Sequence, residues 1–376
     1  MSLLILPVIL LITLLAQAPA TKVVAIPASR MEQDRKIAAC FSPIFNQGLG
    51  DQPRADYITN FDFDGDWKGD NNWKNLDDQS LPLRAWVYFS VIETSTHYFV
   101  HYAVFHPRDY KSDLVTAAVV DALIRTGLGK LGKDPTGGLA DEIALSHEND
   151  LEGCLVVAAK NGSQLSKARV QFVETIAHNR FLRYRPAGRG VQDYEAVSMK
   201  GQHAVLFVEP RGHGVSHYRE RADEVPDSVN GVYMYVYAGR ADDPQKTTVG
   251  ADQKKVEIGY DLVPIANTLW MRAQGGSGET YGVATEYPTV WPISKPVPGA
   301  LDESAESPKV VLGSAFLGAV GSPNRARAPW AWFDWTERDR PAGEWFFDPA
   351  TLIARHFRLG AQFSRTYVYH PFLNGH

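Results

Sequence analysis

Residues 146–152 read Ser-His-Glu-Asn-Asp-Leu-Glu and lead into the apolar stretch Leu155-Val156-Val157-Ala158-Ala159, the composition of a buried β-strand. Side chains alternate across a strand with period two, so Asp150 and Glu152 share a face. His147 lies just before them, on the loop leading into the strand. One imidazole and two carboxylates gathered in this way make a divalent-cation site or a general acid/base cluster at a sheet rim. The plainer alternative is a polar approach to the strand with solvated charges.

Other residues offer chemistry of the same kinds. In Arg211-Gly212-His213-Gly214-Val215-Ser216-His217 the glycines let backbone approach a ligand closely. His213 is therefore a candidate fifth ligand or general base, against the alternative of an ordinary turn. His178, in Ala177-His178-Asn179-Arg180, ranks below it. His97 and His101 share a strand face but stand roughly 13 Å apart along it, too far for one ion, which makes His101 a core histidine. His106, beside Pro107-Arg108-Asp109, is nearer the cluster. Asp62-Phe63-Asp64-Gly65-Asp66 opens like an EF-hand loop, yet Trp67 takes the required glycine position and Trp73 the place of the bidentate glutamate. A Ca²⁺-binding surface loop and an Asx-turn loop anchored by Trp67 and Trp73 both fit it. Trp330, Trp332, Phe333 and Trp335 form an aromatic cluster suited to closing the core, with a sugar or headgroup platform as the alternative. The sequence holds no Gly-x-Ser-x-Gly, no Cys/His pair in a recognisable setting and no phosphate-cradling loop. That argues against serine-hydrolase and nucleotide-dependent chemistry.

The elements that must position these residues read as mostly β. Arg84–Ile92 and His97–His106 are two strands of a hairpin joined by Glu93–Thr96. Strand-like runs recur at Leu155–Lys160, Arg169–Ile176, His203–Val208 and Gly231–Ala238. Leu114–Leu131 has amphipathic helical spacing and is followed by the Gly-rich connector Asp134–Gly138. Leu262–Arg272 reads as a second helix, and Asp348–Leu359 as a third with Asp348 as N-cap and Pro349 in its first position. Residues 275–308, rich in Gly, Pro and Ser, read as a long surface loop. With no alternating β-α units, the pattern predicts a mainly β chain: an antiparallel β-sandwich with inserted helices.

The chain has 376 residues, with 44% hydrophobic and 11% aromatic content, enough for a large core. Leu3–Leu15 is almost wholly apolar and followed by Ala16-Gln17-Ala18-Pro19-Ala20, which reads as a secretory signal peptide over residues 1–20. It is too short for a comfortable membrane span. Residues 21–376 are then one elaborated domain, with 309–376 its C-terminal extension, and the protein is exported, to the periplasm or outside the cell. A net charge of −5 gives no ground for nucleic-acid binding. Cys40 and Cys154 are the only cysteines. In an oxidising compartment they are able to pair, though neither lies in a redox motif.

Two segments resemble known families. His101-Tyr102-Ala103-Val104-Phe105-His106-Pro107-Arg108-Asp109 resembles the strand of necrosis-inducing NPP1-like proteins that ends in Pro-Lys-Asp. His147-Glu148-Asn149-Asp150-Leu151-Glu152 resembles their Gly-His-Arg-His-Asp-Trp-Glu heptapeptide, and also the His-x-Gly-Asp-Trp-Glu motif of the vacuolar protein sorting 62-like family. Residues 201–214 resemble a later strand-plus-histidine segment of that second family. The likeness spans residues 40–215 in short islands. It implies a secreted β-sandwich whose motif residues hold a divalent cation and support binding to membrane glycolipids. Carried over by position, Asp109, His147, Asp150 and Glu152 are the metal ligands. Leu151 replaces the motif tryptophan and Asn149 its second histidine, and a much longer segment separates Asp109 from His147. Cation binding therefore transfers better than cytolysis. Three carboxylates and one imidazole form a hard, oxygen-rich set suited to Ca²⁺ or Mg²⁺ ahead of Mn²⁺ or Zn²⁺. The expected function is cation-dependent binding of an anionic or hydroxyl-rich ligand, a lipid headgroup or glycan. The alternatives are a metal-dependent hydrolase of an ester or phosphodiester with His213 as base, and an ion that merely locks loops together.

Overall fold

A computed structural model describes residues 26–110, 146–188, 194–218, 231–247, 255–288, 309–321, 326–337, 340, 342–360 and 362–373. The expected signal peptide, the helix Leu114–Leu131, the connector Asp134–Gly138 and residues 289–308 of the expected loop lie outside them. Among the described residues no helix is long and apolar enough to cross a membrane.

The chain is mainly β. Its strands are β1 (Ile44–Gly48), β2 (Trp86–Thr94), β3 (His97–Asp109), β4 (His147–Ala159), β5 (Arg169–Ala177), β6 (Arg180–Pro186), β7 (Glu195–Val197), β8 (Met199–Lys200), β9 (His203–Val208), β10 (Val215–His217), β11 (Val232–Tyr237), β12 (Lys255–Pro264), β13 (Tyr281–Pro288), β14 (Lys309–Phe316) and β15 (Tyr367–Tyr369). Helices are α1 (Ala28–Phe41), α2 (Asn72–Asn75), α3 (Leu269–Ala273), α4 (Glu344–Phe347) and α5 (Pro349–His356).

The expected antiparallel sandwich is not what forms. Thirteen strands make one mixed sheet in the order β10-β9-β1-β11-β12-β2-β3-β4-β5-β6-β7, with β15 beside β2 and β8 beside β9. The pairs β1/β9, β11/β12, β12/β2 and β6/β7 are parallel. The sheet curls until β10, at one edge, packs against β4 and β5, which gives it a nearly barrel-like form. Curvature therefore encloses the core where a sandwich would use a second sheet. Burial on both faces usually marks parallel strands and alternation antiparallel ones. Here β3 and β4, buried on both faces, are antiparallel and β11, which alternates, is parallel to β12, so the pattern did not reveal the parallel pairs.

The β2–β3 hairpin forms as its sequence predicts, with Tyr88 opposite Ala103 and Glu93 opposite Tyr98. Strands β3 and β4 then pair over their full lengths, from His97 opposite Ala159 to Asp109 opposite His147. Both are buried on both faces. Helix α1 lies against β2, β3, β9 and β12, and the Tyr102 hydroxyl donates to its Ala38 carbonyl at 2.6 Å. The expected helix over Leu262–Arg272 is instead the end of β12, a 3₁₀ turn at Ile265–Asn267 and the short α3. Residues 281–288 of the expected long loop form β13, which pairs with β14 as a separate hairpin. Helix α5 starts as expected, with Pro349 first and the Asp348 carboxylate accepting from the Thr351 N–H.

The remaining candidates fall into packing roles. Trp330 and Trp332 are buried in the core, and their indole N–H groups donate to the carbonyls of Gly313 (2.8 Å) and Arg327 (3.1 Å). His101 is buried, takes a hydrogen bond from the Ser90 hydroxyl (3.1 Å) and donates to the Trp345 carbonyl (2.9 Å). Burial lowers its pKa to about 4. In the Asp-rich loop, Asp64 and Asp66 accept from the backbone N–H groups of Asp66 and Lys68 and from Asn75 and Asn71. That is Asx-turn geometry, with Trp67 stacked on Phe61 and Trp73 beneath the Arg108 guanidinium. Cys40 and Cys154 are both free thiols.

Candidate functional site

Asp109 ends β3 and His147 begins β4, directly opposite each other. Their side chains approach to 3.5 Å, from His147 Nε2 to Asp109 Oδ2. The other imidazole nitrogen is spoken for: Nδ1–H donates to the Asn149 carbonyl at 2.8 Å. Three residues after His147, Asp150 takes a 2.9 Å hydrogen bond from His213 Nδ1. The Glu152 carboxylate accepts from the His178 backbone N–H at 3.3 Å. All four expected ligands are buried, Asp109 and His147 at 3% and 5% exposure and Asp150 and Glu152 at 7% and 9%.

Two turns close over this end of the sheet. The first is the β5–β6 hairpin turn, His178-Asn179, in which both residues have positive φ (51° and 54°), as a two-residue type I′ loop requires. The second is the β9–β10 turn. There Gly212 and Gly214 stand so close to the His178 ring that a Cβ on either would come within 3.1–3.2 Å of it. A Cβ on Gly212 would also lie 3.9 Å from Asp109 Oδ2. The glycines thus admit the His178 imidazole to the space beside Asp109. His178 Nε2–H donates to Glu209 Oε2 at 2.8 Å. That bond raises its pKa against the opposing effect of burial, with help from the charges of Glu209, Asp109 and Asp150.

His213 holds a different position from the one expected of a base. It is fully buried, with Nδ1 on Asp150 and Nε2 3.3 Å from Asp56 Oδ1. Burial alone would lower its pKa, but hydrogen bonds to the two carboxylates and their charges overcome this and raise it to about 9. Its ring stacks on His106, with centroids 3.7 Å apart and planes 2° from parallel. His106 donates from Nε2 to Gln47 Oε1 at 3.0 Å, and burial followed by the charge of His213 lowers its pKa far enough to keep it neutral. The arrangement is an imidazolium between two carboxylates, capped by a neutral imidazole. It makes His213 a counter-charge to Asp150, whose own pKa is lowered because the His213 bond and the charges of His213, His147 and His178 outweigh burial.

Among the described residues, no three His, Cys, Asp or Glu side chains already stand in the arrangement of a metal's ligands. The carboxylates are held in pairs: Asp109 with His147, Asp150 with His213, Glu152 with the β5–β6 turn. One further feature marks this rim. The only non-glycine residues with positive φ among the described residues are Asn149, His178, Asn179, Arg211 and His213. All five lie in the segments that form the site. Such conformations persist only where surrounding contacts impose them, and they concentrate at functional sites.

Sequence reasoning did not find Asp56, Glu209 or Gln47, and it ranked His178 too low. Glu209 had a signal, since it opens Glu-Pro-Arg-Gly-His-Gly. His178 had one as well, a histidine where a two-residue hairpin loop favours Asn, Asp or Gly. Asp56 had none. It sits in an irregular segment and meets His213 only through the fold.

No family profile and no curated protein matches the chain. Among solved structures the chain is similar to NLPPya in complex with mannosamine, at 16% identity and a TM-score of 0.26, over 49% of this chain and 65% of that one. It is similar to the non-toxic HaNLP3 protein at 13% identity and 0.26, over 59% and 73% of the two chains. It is also similar to Necrosis and Ethylene inducing Protein 2 from the causal agent of cocoa's Witches Broom disease, at 15% identity and 0.24, over 63% and 77%.

Proposed function

We propose that this is an exported divalent-cation-binding protein that holds an ion through Asp109, His147, Asp150 and Glu152 and presents it to an anionic or hydroxyl-rich ligand, a lipid headgroup or glycan. The observation that carries the reading is the His147–Asp109 contact. With its Nδ1–H bonded to Asn149, the His147 ring turns Nε2 toward a carboxylate oxygen 3.5 Å away. A ring nitrogen and a carboxylate oxygen held that close in a buried place share a positive charge, either a proton on the ring or a cation that takes its place. The spacing suits Ca²⁺. Ligands at ~2.3–2.6 Å and right angles to one another stand roughly 3.3–3.7 Å apart, against roughly 2.8–3.0 Å for Mg²⁺. The residues present fit such an ion in chemistry and burial: three carboxylates supply hard oxygens, and the His213 imidazolium offsets part of their mutual repulsion. The ion would supply a positive centre that an incoming phosphate or sugar hydroxyl could coordinate. No observation favours the hydrolytic alternative, because both ring nitrogens of its intended base, His213, already face carboxylates.

The test is isothermal titration of metal-stripped mature protein with Ca²⁺, Mg²⁺, Mn²⁺ and Zn²⁺, alongside Asp150→Ala. Stoichiometric binding, strongest for Ca²⁺ and lost in the variant, is the expected result. No heat at millimolar metal, or equal binding by the variant, would overturn the assignment. Phosphate-headgroup vesicles, glucosamine and mannosamine are then screened with and without the ion.

A further inference from the structure

We infer that Asn149 is the positioning residue of this rim: its left-handed backbone, and not its side-chain chemistry, aims His147 at Asp109 and lets Asp150 serve the same site. The inference rests on the cation-binding reading. In a regular strand, residues three apart point to opposite faces, so His147 and Asp150 would be separated by the sheet. Asn149 lies between them, fully buried, with φ +57°. This is where β4 departs from regular alternation. Asparagine is among the few non-glycine residues that adopt this conformation readily.

Everything around Asn149 holds that conformation in place. Its Nδ2 donates to the carbonyls of Gly69 and Leu317, both at 2.8 Å, and its Oδ1 accepts from Asn72 Nδ2 at 2.8 Å. These partners lie just before α2, in α2 and just after β14. Beside it, Glu148 pins the same segments, accepting from the N–H groups of Trp73 and Ala319 at 2.5 Å each. The Asn149 carbonyl takes the Nδ1–H of His147. That bond selects the tautomer in which Nε2 is the ligating nitrogen, the usual role of an outer hydrogen bond at a metal-binding histidine.

The experiment compares Asn149→Gly with Asn149→Ala in the full chain. Both lose the three side-chain hydrogen bonds and both fit the space, but only glycine accepts positive φ without strain. Thermal melts record the shared loss of stability. Ca²⁺ titration is expected to leave the glycine variant within about threefold of wild type and to weaken the alanine variant tenfold or more. Equal affinities in the two variants would overturn the inference. So would a tenfold loss in the glycine variant, which would place the effect in the amide. A second readout uses no metal. In ¹⁵N-histidine spectra of the stripped protein, His147 is expected as the Nδ1–H tautomer in wild type and in Asn149→Gly, and as a tautomer mixture in Asn149→Ala. A wild-type protein that binds no cation yet shows this tautomer pattern would refute the cation reading and leave the positioning role standing. An Nε2–H tautomer in wild type would refute the positioning role whatever the metal result.

Discussion

Asp56→Asn removes one charge and exchanges one oxygen for an amino group at the point where the site is tied to the fold. In the native protein Oδ2 accepts from the Gly50 N–H (2.7 Å) and the Tyr110 hydroxyl (2.9 Å), and Oδ1 accepts from the Arg211 N–H (2.8 Å) while facing His213 Nε2. The carboxylate is fully buried. An asparagine amide has one acceptor oxygen, so in either orientation its amino group is turned on a buried backbone N–H, of Gly50 or Arg211, that now donates to the carboxylate. Stranding a buried donor costs about 1–3 kcal/mol, and the remaining bonds lose their charge assistance, worth about 1 kcal/mol each. The His213 imidazolium also loses one of its two counter-charges. The sum is a destabilisation of about 4 kcal/mol, a large share of the ~5–15 kcal/mol that holds most domains together. Urea unfolding followed by tryptophan fluorescence in excess chelator measures it. Adding His213→Gln to the variant should cost about 1–2 kcal/mol less than in the wild type, because the two residues act on each other. A loss below 1 kcal/mol, or strict additivity of the two changes, would refute the view that Asp56 and His213 form one charged unit.

Two further changes probe the same argument. His101 is kept neutral by burial, its pKa falling from 6.5 to about 4, so between those values the unfolded chain takes up a proton that the folded chain refuses. The stability this confers is present above pH 6.5 and is lost as pH falls toward 4, by about 3 kcal/mol at ~1.4 kcal/mol per unit. His101→Gln can keep both hydrogen bonds and does not titrate, so its urea midpoint should fall less than that of wild type between pH 7 and 4.5, and parallel profiles would count against it. At Gly321, with φ +94°, a Cβ would lie 2.4 Å from the His147 Cβ. Gly321→Ala should cost about 2–3 kcal/mol and weaken cation binding, whereas Gly162→Ala, with φ +73° and nothing within 4 Å, should cost about 1 kcal/mol and leave binding unchanged. Similar effects of the two alanines on binding would remove the steric argument.

Local chemistry is what the sequence made legible. The β2–β3 hairpin, the strands at β4, β5, β9 and β11, and the start of α5 at Asp348-Pro349 follow from alternation, breakers and capping, which act over a few residues. The pairing of His147 with Asp109 was legible only through a family likeness, since nothing local joins residues so far apart. Strand direction was not legible, because here the antiparallel β3 and β4 are buried on both faces while β11, parallel to β12, alternates, the reverse of the usual tendency. The sheet is mixed where a sandwich was expected. The helix expected at Leu262–Arg272 failed because its first residues, Leu262-Val263-Pro264, are claimed by pairing with β2, a contact that outweighs helical spacing.

The residue types alone placed an imidazole and two carboxylates within six residues at the start of β4. Tertiary structure decided what each would face. The curl of the sheet brings the β9–β10 turn against β4 and β5. That placement turns His213 from a candidate base into a buried counter-charge, supplies Asp56 as its second carboxylate and sets His178 beside Asp109. These assignments depend on low-dielectric burial and on distances between segments more than a hundred residues apart, such as Asp56 and His213. Neither quantity exists until the chain has folded, and so neither was written in the spacing of its residues.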